Sequence, residues 1–93
     1  MQDSVPNKYI VNVNRRIIKD ISRIPEEIAT RILVRIKRLG ENPFPSGCKK
    51  LSNLENGYRL RQGDYRVLYV VNYSLAEVTI VAISHRKDAY RNI

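Results

Sequence analysis

Three arginines occupy a predicted β-hairpin, the stretch "YRLRQGDYRVLY" from Tyr58 to Tyr69. A two-residue turn at Gly63-Asp64 places Arg61 directly opposite Arg66 and puts Arg59 on the same face. Like charges in directly opposite positions cost a few tenths to about 1 kcal/mol of stability. This face is therefore either an ordinary solvated surface or an anion site, because guanidinium groups bind phosphate oxygens through paired hydrogen bonds.

A second stretch, "SHRKDAYR" from Ser84 to Arg91, follows directly on the last predicted strand. That strand is predicted to pair beside the hairpin, so we expect its end to approach the arginines. His85 and Tyr90 are the nearby side chains whose pKa could be tuned for proton transfer. Taken singly, such residues are more commonly surface or packing groups. Together with the arginines, they indicate a cationic cluster that includes two groups capable of proton transfer.

Metal-free cleavage of RNA is the chemistry that best suits this set. One histidine and one cysteine without clustered carboxylates provide no metal-ligand set, and there is no glycine-rich phosphate loop, so we predict no cofactor. In such cleavage a 2′-OH attacks the adjacent phosphate, arginines stabilise the developing charge, and two groups transfer protons. Arginine is a poor base because it stays protonated.

Composition indicates one domain, residues 1–93, with a polyanionic partner. The chain has 93 residues, 43% of them hydrophobic, and a formal net charge of +8. The charge by itself is compatible with nucleic acid, an anionic membrane or an acidic protein as partner. The longest apolar run falls far short of a membrane span, and our overall prediction includes no membrane partner. A single cysteine, Cys48, favours a reducing cytoplasm as the location.

The elements that must position these residues follow in a clear order. We predict a strand near residues 9–13, a helix capped by Asn14, and a second helix that starts at Pro25 and stops at Gly40. Three strands follow at 58–62, 65–72 and 77–84, and Lys49-Lys50-Leu51 forms a further short strand or its lead-in. The fold class is α+β, an αα-hairpin packed on one face of a three- to four-stranded, mainly antiparallel sheet.

Helical periodicity predicts which side of each helix is apolar. In the first helix the apolar pattern comprises Ile17, Ile18, Ile21 and Ile24. In the second it comprises Ile28, Ile32, Leu33, Ile36 and Leu39. The opposite side of the second helix carries Arg31, Arg35 and Arg38, interrupted by Val34.

The hairpin "GDYRVLY" and the terminal "HRKDAY", behind a strand and a helical hairpin ending in "LGENP", resemble the RelE family of the RelE/ParE toxin superfamily. The resemblance covers nearly the whole chain. It implies a toxin of a type II toxin–antitoxin module that enters the ribosomal A site and cuts mRNA without a metal. It also implies an acidic, partly helical antitoxin as partner, and operator DNA bound only through the toxin–antitoxin complex.

The resemblance also implies roles for individual residues. The predicted catalytic set is Arg61, Arg66, His85, Arg86 and Tyr90, and the predicted RNA-binding set is Lys49, Lys50 and Arg59. Some family members carry lysines at the positions of Arg59 and Arg61, where a lysine can be argued as the base. Here the base is Tyr90 or His85.

Two alternatives stay open. A ParE-like toxin has the same fold and inhibits DNA gyrase without cleaving RNA, and such chains generally lack the full set of arginines and tyrosine. A basic RNA-binding module without catalysis needs the arginines for affinity but needs neither His85 nor Tyr90.

Overall fold

The computed structural model describes residues 8–86. Within them the helices are α1 (Arg15–Ser22) and α2 (Glu26–Arg38). The strands are β1 (Ile10–Asn12), β2 (Lys49–Lys50), β3 (Gly57–Gln62), β4 (Tyr65–Asn72) and β5 (Glu77–His85). The predicted element order is confirmed.

The strands form one sheet in the order β1-β5-β4-β3-β2. β1 runs parallel to β5, and the other neighbours are antiparallel. The α+β fold with both helices on one face is confirmed. The described sheet has five strands, because β1 joins it beside β5 and the very short β2 forms the opposite edge.

The core lies between the helices and one face of the sheet. The helices contribute Ile17, Ile21, Ile32, Ile36 and Leu39, and the sheet contributes Leu60, Val67, Tyr69, Val71, Val78 and Ile80. At α1 the Asn14 side chain accepts a 3.0 Å hydrogen bond from the Ile17 amide, which confirms the predicted cap. At α2, Glu26 and Glu27 lie in the first turn, where the helix dipole favours negative charge.

The apolar stripe of each helix is narrower than the periodicity predicted. Ile18 and Leu33 were expected in the core, but both are exposed. Each helix contacts the sheet through a narrow strip of its surface. Ile18 and Leu33 lie beside that strip and face solvent. Arg35 was predicted on the charged side of α2, opposite the apolar stripe, but it is half-buried. It donates a 2.9 Å hydrogen bond to Gln62 of β3.

Close packing favours glycine at Gly40, two residues after the end of α2. A Cβ at this position would lie 3.0 Å from the Tyr9 carbonyl oxygen. The Tyr9 amide donates to the Gly40 carbonyl at 2.6 Å, so the end of α2 is joined to the start of β1. This contact holds the helical hairpin over the sheet.

A β-bulge interrupts the pairing of β4 with β5. Tyr69 pairs with Ile80, but the preceding Leu68 pairs with Ala82, so Val81 is an extra residue in β5. The extra residue reverses the alternation of side chains in the last part of the strand. Val78 and Ile80 face the helices before the bulge, and after it Ile83 and His85 do so.

Candidate functional site

The predicted arginine cluster lies on the face of the sheet opposite the helices. Arg61 pairs directly with Arg66, which pairs with Ser84. In the next row Arg59 pairs with Lys49 of the edge strand. We call these four cations, Lys49, Arg59, Arg61 and Arg66, the arginine face.

The hairpin turn fixes this arrangement. Gly63 has a φ of +60°, a conformation that glycine adopts without a steric penalty. The two-residue turn sets the register that brings Arg61 opposite Arg66. Directly opposite residues have Cβ atoms about 5 Å apart.

The positive charge of this face is concentrated. Neither cross-strand row includes a carboxylate, as far as the described strands extend. Arg61 is exposed, whereas Arg59 and Arg66 are half-buried, with part of each side chain covered by neighbours and screened from water. Such a surface suits a phosphate, whose oxygens accept several guanidinium hydrogen bonds.

Arg86 lies beside the hairpin turn. Its amide donates a 2.7 Å hydrogen bond to the Asp64 carbonyl, and its Nε is 3.9 Å from a carboxylate oxygen of Asp64. Both side chains are more than half exposed, so this ion pair adds little stability. The amide hydrogen bond and the ion pair hold Arg86 against the hairpin turn, and its predicted catalytic role stays a prediction.

The structure separates His85 from the arginines, contrary to our expectation. His85 pairs with Tyr65, and the two rings meet edge to face with centroids 5.0 Å apart. It lines a cavity of about 340 Å³ with Ile28 and Arg31 of α2, on the helix side of the sheet. The bulge at Val81 is the physical reason, because it exchanges the two faces of β5 before His85 is reached.

The two lysines of β2 also lie on different faces. Lys49 pairs with Arg59 and joins the arginine face, whereas Lys50 pairs with Tyr58 on the helix side. The prediction had treated both as one RNA-binding pair. Adjacent residues of a strand point to opposite faces, so the edge strand presents one lysine to each.

Tyr90 lies outside the described residues, so its predicted role stays a prediction. Among residues 8–86, no three histidine, cysteine, aspartate or glutamate side chains converge into a metal-binding group. In the same range neither helix has the length and apolar character needed to cross a membrane.

Sequence comparison relates the chain to known toxins. A family model described as ParE toxin of the type II toxin–antitoxin system parDE matches residues 11–90, which include the hairpin motif "GDYRVLY" and the terminal motif "HRKDAY". Toxin RelE of Mycobacterium tuberculosis is 33% identical over 98% of this chain and 93% of its own length. The chain belongs to the RelE/ParE family of type II toxins.

Solved structures agree with this family assignment. The toxin in the archaeal RelE–RelB complex of Pyrococcus horikoshii is 28% identical, with a TM-score of 0.76 over 85% of this chain and 96% of that one. The toxin in the RelB–RelE complex of Methanococcus jannaschii is 26% identical, with a TM-score of 0.72 over 88% and 98%. The resemblance to this toxin family is thereby confirmed.

One cluster of aromatic residues in this toxin was not predicted from the sequence. Phe44, Tyr58 and Tyr73 meet on the helix side of the sheet, beside Lys50. They come from a loop, a strand and a turn far apart in the chain. No local pattern links them, and only the tertiary structure brings them together.

Proposed function

We propose that this toxin is a ribosome-dependent, metal-independent endoribonuclease that cuts mRNA in the ribosomal A site and so inhibits translation. The observation that carries the proposal is the direct pairing of Arg61 with Arg66 on the open face of the sheet. Two like charges facing each other reduce stability, and an anion bound between them reverses that cost. The scissile phosphate is the anion that fits this chemistry.

In the proposed reaction the substrate supplies its own nucleophile. The 2′-hydroxyl gives up its proton as its oxygen attacks the adjacent phosphorus, and the bond to the 5′-oxygen breaks. A 2′,3′-cyclic phosphate forms, and the leaving 5′-oxygen takes a proton from solvent water to become a 5′-hydroxyl. Negative charge grows on the phosphate oxygens and on the leaving 5′-oxygen during this step. Arg61 and Arg66, with Arg86 beside the hairpin turn, stabilise that charge through hydrogen bonds from protonated guanidinium groups.

We assign the general base to Tyr90 rather than His85. His85 contacts Tyr65 and lines a cavity under α2, so the sheet separates it from the proposed phosphate position. Tyr90 is the other of the two candidate bases that the sequence indicates. The chemical basis for this choice is general: a tyrosine hydroxyl loses its proton more readily beside guanidinium groups, because their positive charge stabilises the phenolate.

Lys49 and Arg59 extend the proposed binding surface beyond the cleavage position. Arg59 and Arg61 point to the same face of β3 two residues apart, a separation of about 7 Å along the strand. Lys49 continues the row onto the edge strand. These residues would hold the RNA backbone on one side of the scissile phosphate, away from the hairpin turn, without reading its sequence.

A second candidate function, gyrase inhibition, is favoured by one observation: the matching family model is described as a ParE toxin. Primer extension on translated mRNA, run in parallel with a gyrase supercoiling assay, separates the two. Cuts in mRNA during translation support the first function. Inhibited supercoiling with intact mRNA supports the second. If the chain binds RNA and does neither, it is a non-catalytic RNA-binding module.

We further propose an acidic, partly helical antitoxin as the partner that silences this toxin in the cytoplasm. The toxins from P. horikoshii and M. jannaschii were solved in complex with RelB. On this chain α2 exposes Val34 at 43% and the adjacent Leu33 at 47% of their surface. Exposed Arg31 and Arg38 flank them, which suits a segment with apolar and acidic side chains. Operator DNA would be bound only through that complex.

A further inference from the structure

A cluster of aromatic rings is exposed on the helix side of the sheet. The Phe44 ring is stacked with Tyr73, centroids 6.0 Å apart, and meets Tyr58 edge to face at 5.0 Å. Tyr73 is 52% exposed and Phe44 is 38% exposed. We call Phe44, Tyr58 and Tyr73 the aromatic patch. Single exposed aromatic residues are common, but a contiguous exposed cluster marks an interaction surface.

Several hydrogen bonds hold the patch in place. The buried Tyr69 hydroxyl donates to the Pro43 carbonyl at 2.7 Å, and the Asn42 side chain accepts from the Phe44 amide at 3.0 Å. The hydroxyls of Tyr58 and Tyr73 lie 3.1 Å apart. The rings are therefore positioned before any ligand arrives, which lowers the entropy cost of binding.

Positive charge lies beside these rings. Lys50 is directly opposite Tyr58 in the sheet. The hydrogen bond with Tyr58 raises the pKa of the Tyr73 hydroxyl. Lys50 lies close enough for its positive charge to act in the opposite direction. Glu55 lines the same shallow cavity as Lys50, so a negative charge lies close to the positive one. The positive charge beside the aromatic patch therefore comes from one lysine and not from a broad basic surface.

We propose that the aromatic patch is a second contact for single-stranded RNA, in which an exposed ring stacks on an unpaired base and Lys50 contacts the neighbouring phosphate. Aromatic stacking with an adjacent cation is the usual way in which proteins bind single strands. The net charge of +8 favours a polyanion over an apolar peptide as the occupant.

The edge strand connects this contact to the arginine face. β2 consists of two residues, and it presents Lys49 to the arginine face and Lys50 to the aromatic patch. An RNA strand that passes around this edge meets a lysine on each side of it. The choice of RNA as ligand rests on the proposed function. The second contact lies apart from the cleavage position and does not depend on catalysis.

Binding of a labelled oligouridylate to the purified toxin tests the ring contact, with fluorescence anisotropy as the readout. Tyr73→Leu should weaken binding on the order of tenfold, because it removes one stacking ring. Tyr73→Phe should retain most of the affinity. The matched control is Leu75→Ala, in the same turn and also exposed. Parental affinity in Tyr73→Leu would overturn the proposal, as would an equal loss in the control.

The salt dependence of the same binding tests Lys50. Lys50→Ala should reduce the slope of log affinity against log salt by about 0.7, the contribution of one phosphate contact to a single strand. Tyr73→Leu should leave that slope unchanged. Lys19→Ala, on α1, is the charge-matched control. An unchanged slope in Lys50→Ala, or no binding by the parent chain, would overturn the proposal. The assay contains no ribosome and measures no cleavage, so it does not depend on whether mRNA or gyrase is the target.

Discussion

Replacing Arg61 with alanine should change stability and activity in opposite directions. Arg61 and Arg66 lie directly opposite each other, with Cβ atoms about 5 Å apart. Two unit charges about 6 Å apart in water repel by about 0.7 kcal/mol. Arg61 is exposed, so its truncation removes little packing. For a domain of this size the relief should raise Tm by about 3–6 °C.

Cleavage by the same variant should fall by about 10²–10³-fold, because one charge-stabilising donor at the transition state is lost. The assay is primer extension on ribosome-bound mRNA under single-turnover conditions, with thermal unfolding measured on the same preparation. Arg61→Lys separates charge from geometry. It should leave Tm near the parental value while still reducing cleavage, because an ammonium group lacks the planar fork of the guanidinium.

Two results would refute this reasoning. Cleavage at the parental rate by folded Arg61→Ala would remove Arg61 from the proposed site. A Tm increase that persists unchanged in about 1 M salt would show that it does not come from repulsion between surface charges, since screening at that ionic strength acts within about 3 Å. Lys19→Ala, which removes an exposed charge from α1, should alter neither cleavage nor Tm.

The other expected outcomes concern the base, the nucleophile and the partner. Tyr90→Phe should slow cleavage at least 100-fold while His85→Phe, which preserves the ring contact with Tyr65, changes it less than threefold in the same primer-extension assay; the reverse ranking would restore His85 as the base. A 2′-deoxynucleotide at the cut position should block cleavage, and EDTA should not once ribosome integrity is protected; cleavage of the deoxy substrate, read on a sequencing gel, would exclude attack by the 2′-OH. Val34→Asp should weaken antitoxin binding about tenfold by titration calorimetry and leave cleavage intact, and unchanged affinity would place the antitoxin elsewhere.

Local patterns in the sequence were sufficient for the hairpin and for the order of elements. The period-2 alternation and the two-residue turn at Gly63-Asp64 predicted that Arg61 faces Arg66, and the structure has that register. The cap at Asn14 and the stop after α2 were predicted equally well, since both depend on residues close together in the chain. The motifs in the hairpin and near the C-terminus led to the correct toxin family.

Only the tertiary structure decided which residues share a face beyond the hairpin. One extra residue at Val81 exchanges the faces to which the later side chains of β5 point, and this places His85 on the helix side. No local sequence pattern predicted that bulge. Pairing between β2 and β3 assigns Lys49 and Lys50 to opposite faces, and packing across the chain assembles the aromatic patch. The physical reason is common to these cases. Backbone periodicity fixes how neighbours alternate along one strand, but the face that each side chain takes depends on pairing with distant strands and on irregularities in that pairing.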